Sequence, residues 1–363
     1  MKHIITLLSF LLLLNTIVNA EAPFHVYAPS SQSQQLWVLA AKPSPDGIDL
    51  SVESKVDLDF PGRTISLHPS QPILYVGSSG GSIDQVAAAT VSLDSSGVVT
   101  SHQPFWLKHG TAYLSTDRSG RFLLSASYGS GTIDIYGLDE KGFPTHWITG
   151  RDEGRKAAHS ILPSPDNRNL YIPYVKSNNA ILQYRFDPTT GNIEPLEPLD
   201  AQPPAGTGPR HIVYHPTLPV VYFSNEQHLG VSVYDRDTES GQLTFRSVCE
   251  AVTADEPKDG ISSSDIVITP DGRFLFAGIR GQGRDFDWIT RYRIDENGDI
   301  SLIGRTPADK IPWGFTLSPE GGYLFVTASQ GATITAYKIG TDGSLRKVVS
   351  IPCDTGITDI VAR

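Results

Sequence analysis

Apolar and polar positions alternate with a period of two along most of this chain, and one unit of that alternation returns about every fifty residues. The unit is a pair of short apolar runs joined by a turn of the Ser/His-Pro-Asp-Gly type. It reads LHPSQPILYV from Leu67, STDRSGRFLL from Ser115, LPSPDNRNLYI from Leu162, YHPTLPVVYF from Tyr214, ITPDGRFLFA from Ile268 and LSPEGGYLFV from Leu317. The anchors Pro69, Arg118, Pro165, Pro216, Pro270 and Pro319 are spaced by 49, 47, 51, 54 and 49 residues. Between them lie segments such as TIDIYGLD, AILQYRFD and TITAYKI, whose β-branched and aromatic content predicts strands. A second turn, ending in glycine, recurs at Gly47, Gly97, Gly142, Gly191, Gly241, Gly298 and Gly343. Seven glycine turns against six proline hinges imply that one unit is split.

Four short strands per unit, repeated in this way, predict an all-β, seven-bladed β-propeller of four-stranded blades. The run Gly356 to Val361 resembles the inner strand around Ser264 to Val267 and supplies the innermost strand of the split blade. Residues 25–39 supply the rest. Pairing of N- and C-terminal segments then closes the ring and leaves no open sheet edge.

Composition alters this picture in three places. Lys2 and His3 precede an apolar run from Ile4 to Leu14, and Val18-Asn19-Ala20 offers small residues for cleavage. Residues 1–20 therefore read as a secretory signal peptide cut after Ala20, the run being short against the ~20 apolar residues of a spanning helix. That leaves one propeller domain over residues 21–363, exported to a periplasm or secreted, with no stable membrane insertion, and expected to be a monomer. It carries 28 basic and 39 acidic residues, a net charge of −11, which argues against a nucleic-acid partner. Cys249 and Cys353 fall in nearly the same slot of blades two apart, too far for a disulfide, so two buried free thiols are expected.

The repeat register locates candidate chemistry. Six residues before each anchor begins the inner strand, and that column reads Arg63, Ala112, His159, Arg210, Ser264 and Trp313, with Thr358 in the split blade. Ten residues after it ends the returning strand, and that column reads Ser79, Tyr128, Val175, Glu226, Arg280 and Ser329. Both columns belong to one mouth of the central channel. Charged groups are costly to hide unless paired, so this cationic mouth on an acidic protein predicts a site for an anionic small molecule. Strand alternation turns Ser160, His211, Asp265 and Asp359 to the other face, and His68 and His215 fall in hinge turns at the far rim. His228 follows Glu226 on the site rim. The loop from Arg280 to Trp288, with Arg284, Asp285 and Asp287, is a long segment on the same rim that reads first as a solvated loop and second as a partial lid.

The segments Ala158-His-Ser160, Gly208-Pro-Arg-His211, Ser224-Asn-Glu226, Ser264-Asp-Ile with Thr269-Pro-Asp-Gly-Arg273, and Tyr128-Gly-Ser-Gly131 resemble the seven-bladed lactonase family. That family includes propeller-type 6-phosphogluconolactonase and fungal carboxy-cis,cis-muconate cyclase, and the resemblance spans nearly the whole chain after residue 20. It implies a catalytic set of His159, Arg210, Glu226 and Arg280; the two columns add Arg63, Tyr128 and Trp313, and the site rim His228, as substrate-binding candidates. Trp313 stands where many members carry an arginine, so an indole replaces one expected cation.

A lactone hydrolase needs an activated water and a cradle for the tetrahedral oxyanion. His159 suits the base, Arg210 and Arg280 the cradle, and Glu226 the orientation of Arg210 or a share in proton transfer. Cycloisomerisation uses the same residue types, and a non-catalytic exported binding module is the other alternative. Concentration of unusual residues at one channel mouth favours an enzyme. The chain has no Gly-rich phosphate loop, zinc spacing or nucleophile elbow, and no metal or cofactor is expected.

Overall fold

The computed structural model describes residues 21–256 and 258–363. The expected signal peptide lies outside the described residues. Seven four-stranded antiparallel sheets surround one axis. The six continuous blades occupy residues 64–107, 113–151, 162–200, 209–250, 262–307 and 312–352. They are blades 2 to 7 below.

Blade 1 is the split one. Its strands Phe24–Ser30, Gln35–Ser44 and Gly47–Asp57 are joined at the axis by Val361–Ala362. Val26 pairs with Ala362 and Tyr27 with Val361, while His25 and Arg363 exchange two backbone hydrogen bonds of 2.8 and 2.9 Å. A further bridge joins Ser30 to Ile357. The N-terminal share of this blade extends to Asp57, well past residue 39, because Gly47 turns the chain into a third, outer strand. Among the described residues the one helical element is a single turn, Lys176–Asn178, and no helix is long and apolar enough to cross a membrane.

The core lies between blades. Leu124 and Ile135 of blade 3, for instance, pack with Ile172 and Leu182 of blade 4, all fully enclosed. The two recurring turns also lock neighbouring blades together. Tyr75 donates its hydroxyl to Gly142 O at 2.6 Å, Tyr171 to Gly241 O at 2.5 Å, Tyr222 to Gly298 O at 2.8 Å and Tyr323 to Gly47 O at 2.7 Å, and Tyr27 makes the same bond to Gly97. Phe122 and Phe274 occupy that slot against Gly191 and Gly343 without a hydroxyl. In each case the aromatic of one blade meets the glycine turn of the next, and the contact runs round the whole ring. A Cβ on Gly191 would lie 2.6 Å from the Phe122 ring, at a φ of +77°, so both space and backbone conformation require glycine there.

The hinge histidines are turn residues, as expected. His68 Nδ1 accepts from the amides of Ser70 and Gln71, and its Nε2 donates to Gly120 O of the next blade at 3.0 Å. His215 caps its own turn in the same way.

One irregularity decides the site. In blades 5, 6 and 7 the inner strand slips register between Pro209 and Ile212, between Ser263 and Ile266, and between Pro312 and Phe315. The same bulge thus recurs in three consecutive blades. A bulge removes residues from the ladder and re-aims their side chains.

Candidate active site

A cavity of 440 Å³ opens on the propeller axis. From the first predicted column it takes Arg63, Ala112, His159, Arg210, Trp313 and Thr358, and from the second Ser79, Tyr128, Glu226 and Arg280. Ser264, Val175 and Ser329 of those columns do not line it. Neither does His228, whose Nε2 turns to Glu250 Oε1 at 3.2 Å. The loop after Arg280 is pinned: Asp287 Oδ1 accepts from the amides of Gly281 and Ile311, each at 2.9 Å, while Arg284 and Asp285 stay exposed.

Glu226 is the hub. Its Oε2 lies 3.3 Å from Arg210 Nε and 4.0 Å from His159 Nε2, and its Oε1 lies 3.5 Å from Arg280 Nη2. One carboxylate therefore holds two guanidiniums in fixed positions beside an imidazole. Arg210 is 1 % exposed, and its Nη1 has no hydrogen-bond partner. Arg280 Nη2 also donates to Ser263 O at 2.7 Å. Burial, and then repulsion from Arg210, brings Arg280 down to about 9, still cationic at neutral pH. Burial likewise lowers Arg63, with Asp359 opposing the shift. The Trp313 ring lies close to two of these cations, 4.5 Å from the Arg280 guanidinium and 5.7 Å from that of Arg63. Across the mouth, Tyr128 meets His159 edge-to-face at 5.5 Å, and Lys176 Nζ lies 5.2 Å from the Tyr128 ring centre.

Burial, reinforced by Arg210 and then by His211, holds the His159 imidazole well below its ordinary 6.5. It is therefore neutral near pH 7, the state a general base needs.

Three residues that alternation turned away also line the cavity: His211, Asp265 and Asp359. The bulges at Pro209/Ile212 and Ser263/Ile266 are the reason for the first two, because two successive side chains leave the ladder together. Blade 1 departs from regular pairing at the equivalent place. Only a bridge at Ile357 and the pairs from Val361 onward hold its inner strand. His211 Nδ1 lies 2.6 Å from Asp265 Oδ1. Asp265 Oδ2 accepts from the Phe315 amide of the next blade at 2.9 Å. Asp359 repeats that latch on the Ile65 amide at 2.9 Å. Burial pushes Asp265 up, but His211, the Phe315 amide and Arg210 together outweigh it and leave the carboxyl below its usual range. Asp359 has no such imidazole, and burial, with Asp265 adding to it, raises it to about 7. The cationic excess is thus smaller than the two columns implied. Three arginines face Glu226, Asp265 and Asp359. Among the described residues no three His, Cys, Asp or Glu side chains are grouped to hold a metal ion.

The model of the family described as Lactonase, 7-bladed beta-propeller matches residues 31–358. The chain belongs to that lactonase family. It is 32% identical over 324 residues to a 6-phosphogluconolactonase of Cronobacter sakazakii, covering 88% of this chain and 92% of that one. It is 31% identical over 326 residues to a 6-phosphogluconolactonase of Enterobacter sp., covering 89% and 93%. The solved structure of the Pseudomonas aeruginosa periplasmic gluconolactonase superposes with a TM-score of 0.80 at 19% identity, covering 94% of this chain and 99% of that one. At that identity the likeness concerns the fold. Within this lactonase-family propeller, Cys249 and Cys353 are free thiols, half-buried where full burial was expected.

Proposed function

We propose that this chain hydrolyses a sugar lactone at the cationic mouth of its propeller channel. The observation that carries the reading is the Glu226-centred cluster, in which two guanidiniums are fixed on one carboxylate beside a neutral imidazole on a cavity wall. Hydrolysis needs a proton acceptor for water and a positive cradle for the oxyanion, and the cluster supplies both without rearrangement. His159 takes a proton from water as the water oxygen bonds to the lactone carbonyl carbon. Arg210 and Arg280 face the negative charge that gathers on the carbonyl oxygen. As the ring C–O bond breaks, the proton returns from His159 to the leaving oxygen. The product is the open-chain hydroxy acid, which ionises to the carboxylate.

The relatives named 6-phosphogluconolactonase and periplasmic gluconolactonase bracket the substrate class. Trp313 gives a flat apolar wall suited to a sugar ring, with Arg63 also on the cavity, 5.7 Å from the indole. Taken with the leader-like residues 1–20, this favours an exported enzyme acting on a non-phosphorylated aldonolactone. The test is proton release from glucono-1,5-lactone and from its 6-phosphate, read above spontaneous hydrolysis. Enhancement of the unphosphorylated lactone is expected. Activity confined to the phosphate ester would refute the substrate assignment, and none on either would move the reading to another lactone, a cycloisomerase or a binding protein.

A further inference from the structure

The mechanism above uses His159 and leaves His211 and Asp265 idle, yet these two form the shortest carboxylate–imidazole contact in the cavity, 2.6 Å. Two buried ring nitrogens nearby have no partner at all: Nε2 of His211 and Nδ1 of His159. Their rings are adjacent, with centroids 5.1 Å apart and planes inclined by 59°. They do not bond to each other in this structure, and at that spacing a nitrogen of one ring reaches a nitrogen of the other only when both edges are turned to meet. An enclosed polar atom left unpaired is destabilising, and a single bond between these two would remove both penalties.

We propose that a turn of the two adjacent rings closes Asp265, His211 and His159 into one hydrogen-bonded chain that fixes His159 in the tautomer of a base. The assignment rests on the hydrolase reading for its catalytic meaning, but its order is dictated by donor counting alone. Asp265 is anchored from two backbone amides, Phe315 at 2.9 Å and Ile266 at 2.8 Å, and as a carboxylate it can only accept. His211 must therefore donate through Nδ1. A neutral imidazole carries one N–H, so its Nε2 is an acceptor. The unpartnered His159 Nδ1 then becomes the donor to it. That leaves the lone pair of His159 on Nε2, the edge 4.0 Å from Glu226 at the cavity. When His159 takes a proton from water, the charge forms at one end of a chain whose other end is an anchored carboxylate. Arg210, Arg280, Glu226, Tyr128 and His211 are the charged and titratable neighbours of His159; Glu226 faces its Nε2 edge, and His211 leads to a second carboxylate, Asp265.

The competing account is that Asp265 only ties blade 6 to blade 7. Asp359 provides the comparison. It makes the same two kinds of backbone bond, to Ile65 and Ile360, each at 2.9 Å, and has no imidazole partner. The latch does not require histidine, so the His211 contact is an addition to it.

In this chain His159 is the catalytic residue, and His211 and Asp265 are positioning residues. Asp265→Asn tests it directly. The new amide can donate to His211 Nδ1, which turns His211 Nε2 into a donor and forces His159 into the Nε2–H form. The full-length protein is assayed on the lactone it turns over, with thermal midpoint and KM recorded. We expect kcat to fall on the order of 10²–10⁴-fold, the range of general-base loss, with KM changed only a few-fold. His211→Gln, whose amide both donates and accepts, should retain at least ten times the kcat of His211→Leu. Imidazole ¹⁵N spectra at neutral pH should show Nδ1–H for His159 in the parent and Nε2–H in Asp265→Asn. A folded Asp265→Asn protein with kcat within threefold of the parent overturns the proposal. So does an Nε2–H tautomer of His159 in the parent, which needs no folded variant. A parent inactive on every lactone refutes the hydrolase reading instead, and the tautomer then still decides the hydrogen-bonded chain.

Discussion

Replacing Arg210 by methionine should separate the chemistry of the site from its architecture. Methionine keeps the bulk of the side chain and removes its charge. The guanidinium lies 3.3 Å from Glu226, which keeps a second partner, Arg280, at 3.5 Å. Breaking a buried ion pair by removing one partner costs about 3–5 kcal/mol. The remaining arginine should reduce that here to the lower end or below. Loss of one oxyanion donor costs a factor of about 10²–10³ in kcat. The two effects respond differently to a second change. Arg210→Met with Glu226→Gln removes the stranded carboxylate and should recover most of the lost stability, read as the urea midpoint. It should recover no activity, because Arg280 alone faces the oxyanion. The assay is proton release from the lactone at saturating substrate, corrected for the spontaneous rate. If the single variant keeps kcat within threefold while its midpoint drops, Arg210 is a structural pair with Glu226 and the electrostatic argument is wrong. If the double variant regains parental kcat, the parent cluster works only by relieving its own strain, which also refutes it.

Other consequences follow from the geometry. Tyr75→Phe removes the 2.6 Å bond to Gly142 O and should cost about 1 kcal/mol in urea unfolding; Phe122 and Phe274 show that the ring itself fits the slot. Asp359, raised from 3.8 to about 7, contributes stability that is complete below pH 3.8 and is lost as pH rises through 7. Thermal midpoints of Asp359→Asn should therefore gain on the parent as pH rises across that window, and a difference that is flat with pH would refute the burial argument. Reductant should leave the parent's midpoint unchanged, and thiol titration of the unfolded chain should find both Cys249 and Cys353 free, since neither is in a disulfide.

The repeat made the ring legible because a propeller blade writes its geometry twice, once in the proline hinge and once in the glycine turn. Both turns prove to be contacts between blades, which is why they recur so regularly. Tyr171 against Gly241 and His68 against Gly120 each tie one blade to the next. The columns worked for Arg63, His159, Arg210, Glu226 and Arg280 because these residues stand where inner strands begin or return. They failed for His211 and Asp265 because alternation is a property of an unbroken ladder, and the ladder is broken at both places. A signal was present in the polar run itself. Arg210-His211 and Ser264-Asp265 put two polar residues in succession on a strand that should alternate, and such a doublet beside an inner-strand start is the mark of a bulge. His228 failed for another reason. Its position after Glu226 gave nearness in sequence, but the turn carries it outward to Glu250.

The strand that closes the ring is also a wall of the site. Val361 and Ala362 hold the split blade together, and three residues earlier Thr358 and Asp359 line the cavity. Asp359 then reaches into blade 2 through the Ile65 amide, so one short segment joins three things: the terminal pairing, the contact to the next blade and the floor of the channel. A buried carboxyl raised to about 7 is a costly way to make a latch, and Asp265 shows what lowers the cost. With an imidazole at 2.6 Å the same latch stays ionised. The two aspartates thus differ in the one feature that matters for chemistry. Both tie one blade to the next, but only the one bonded to His211 is held below the usual carboxylate range.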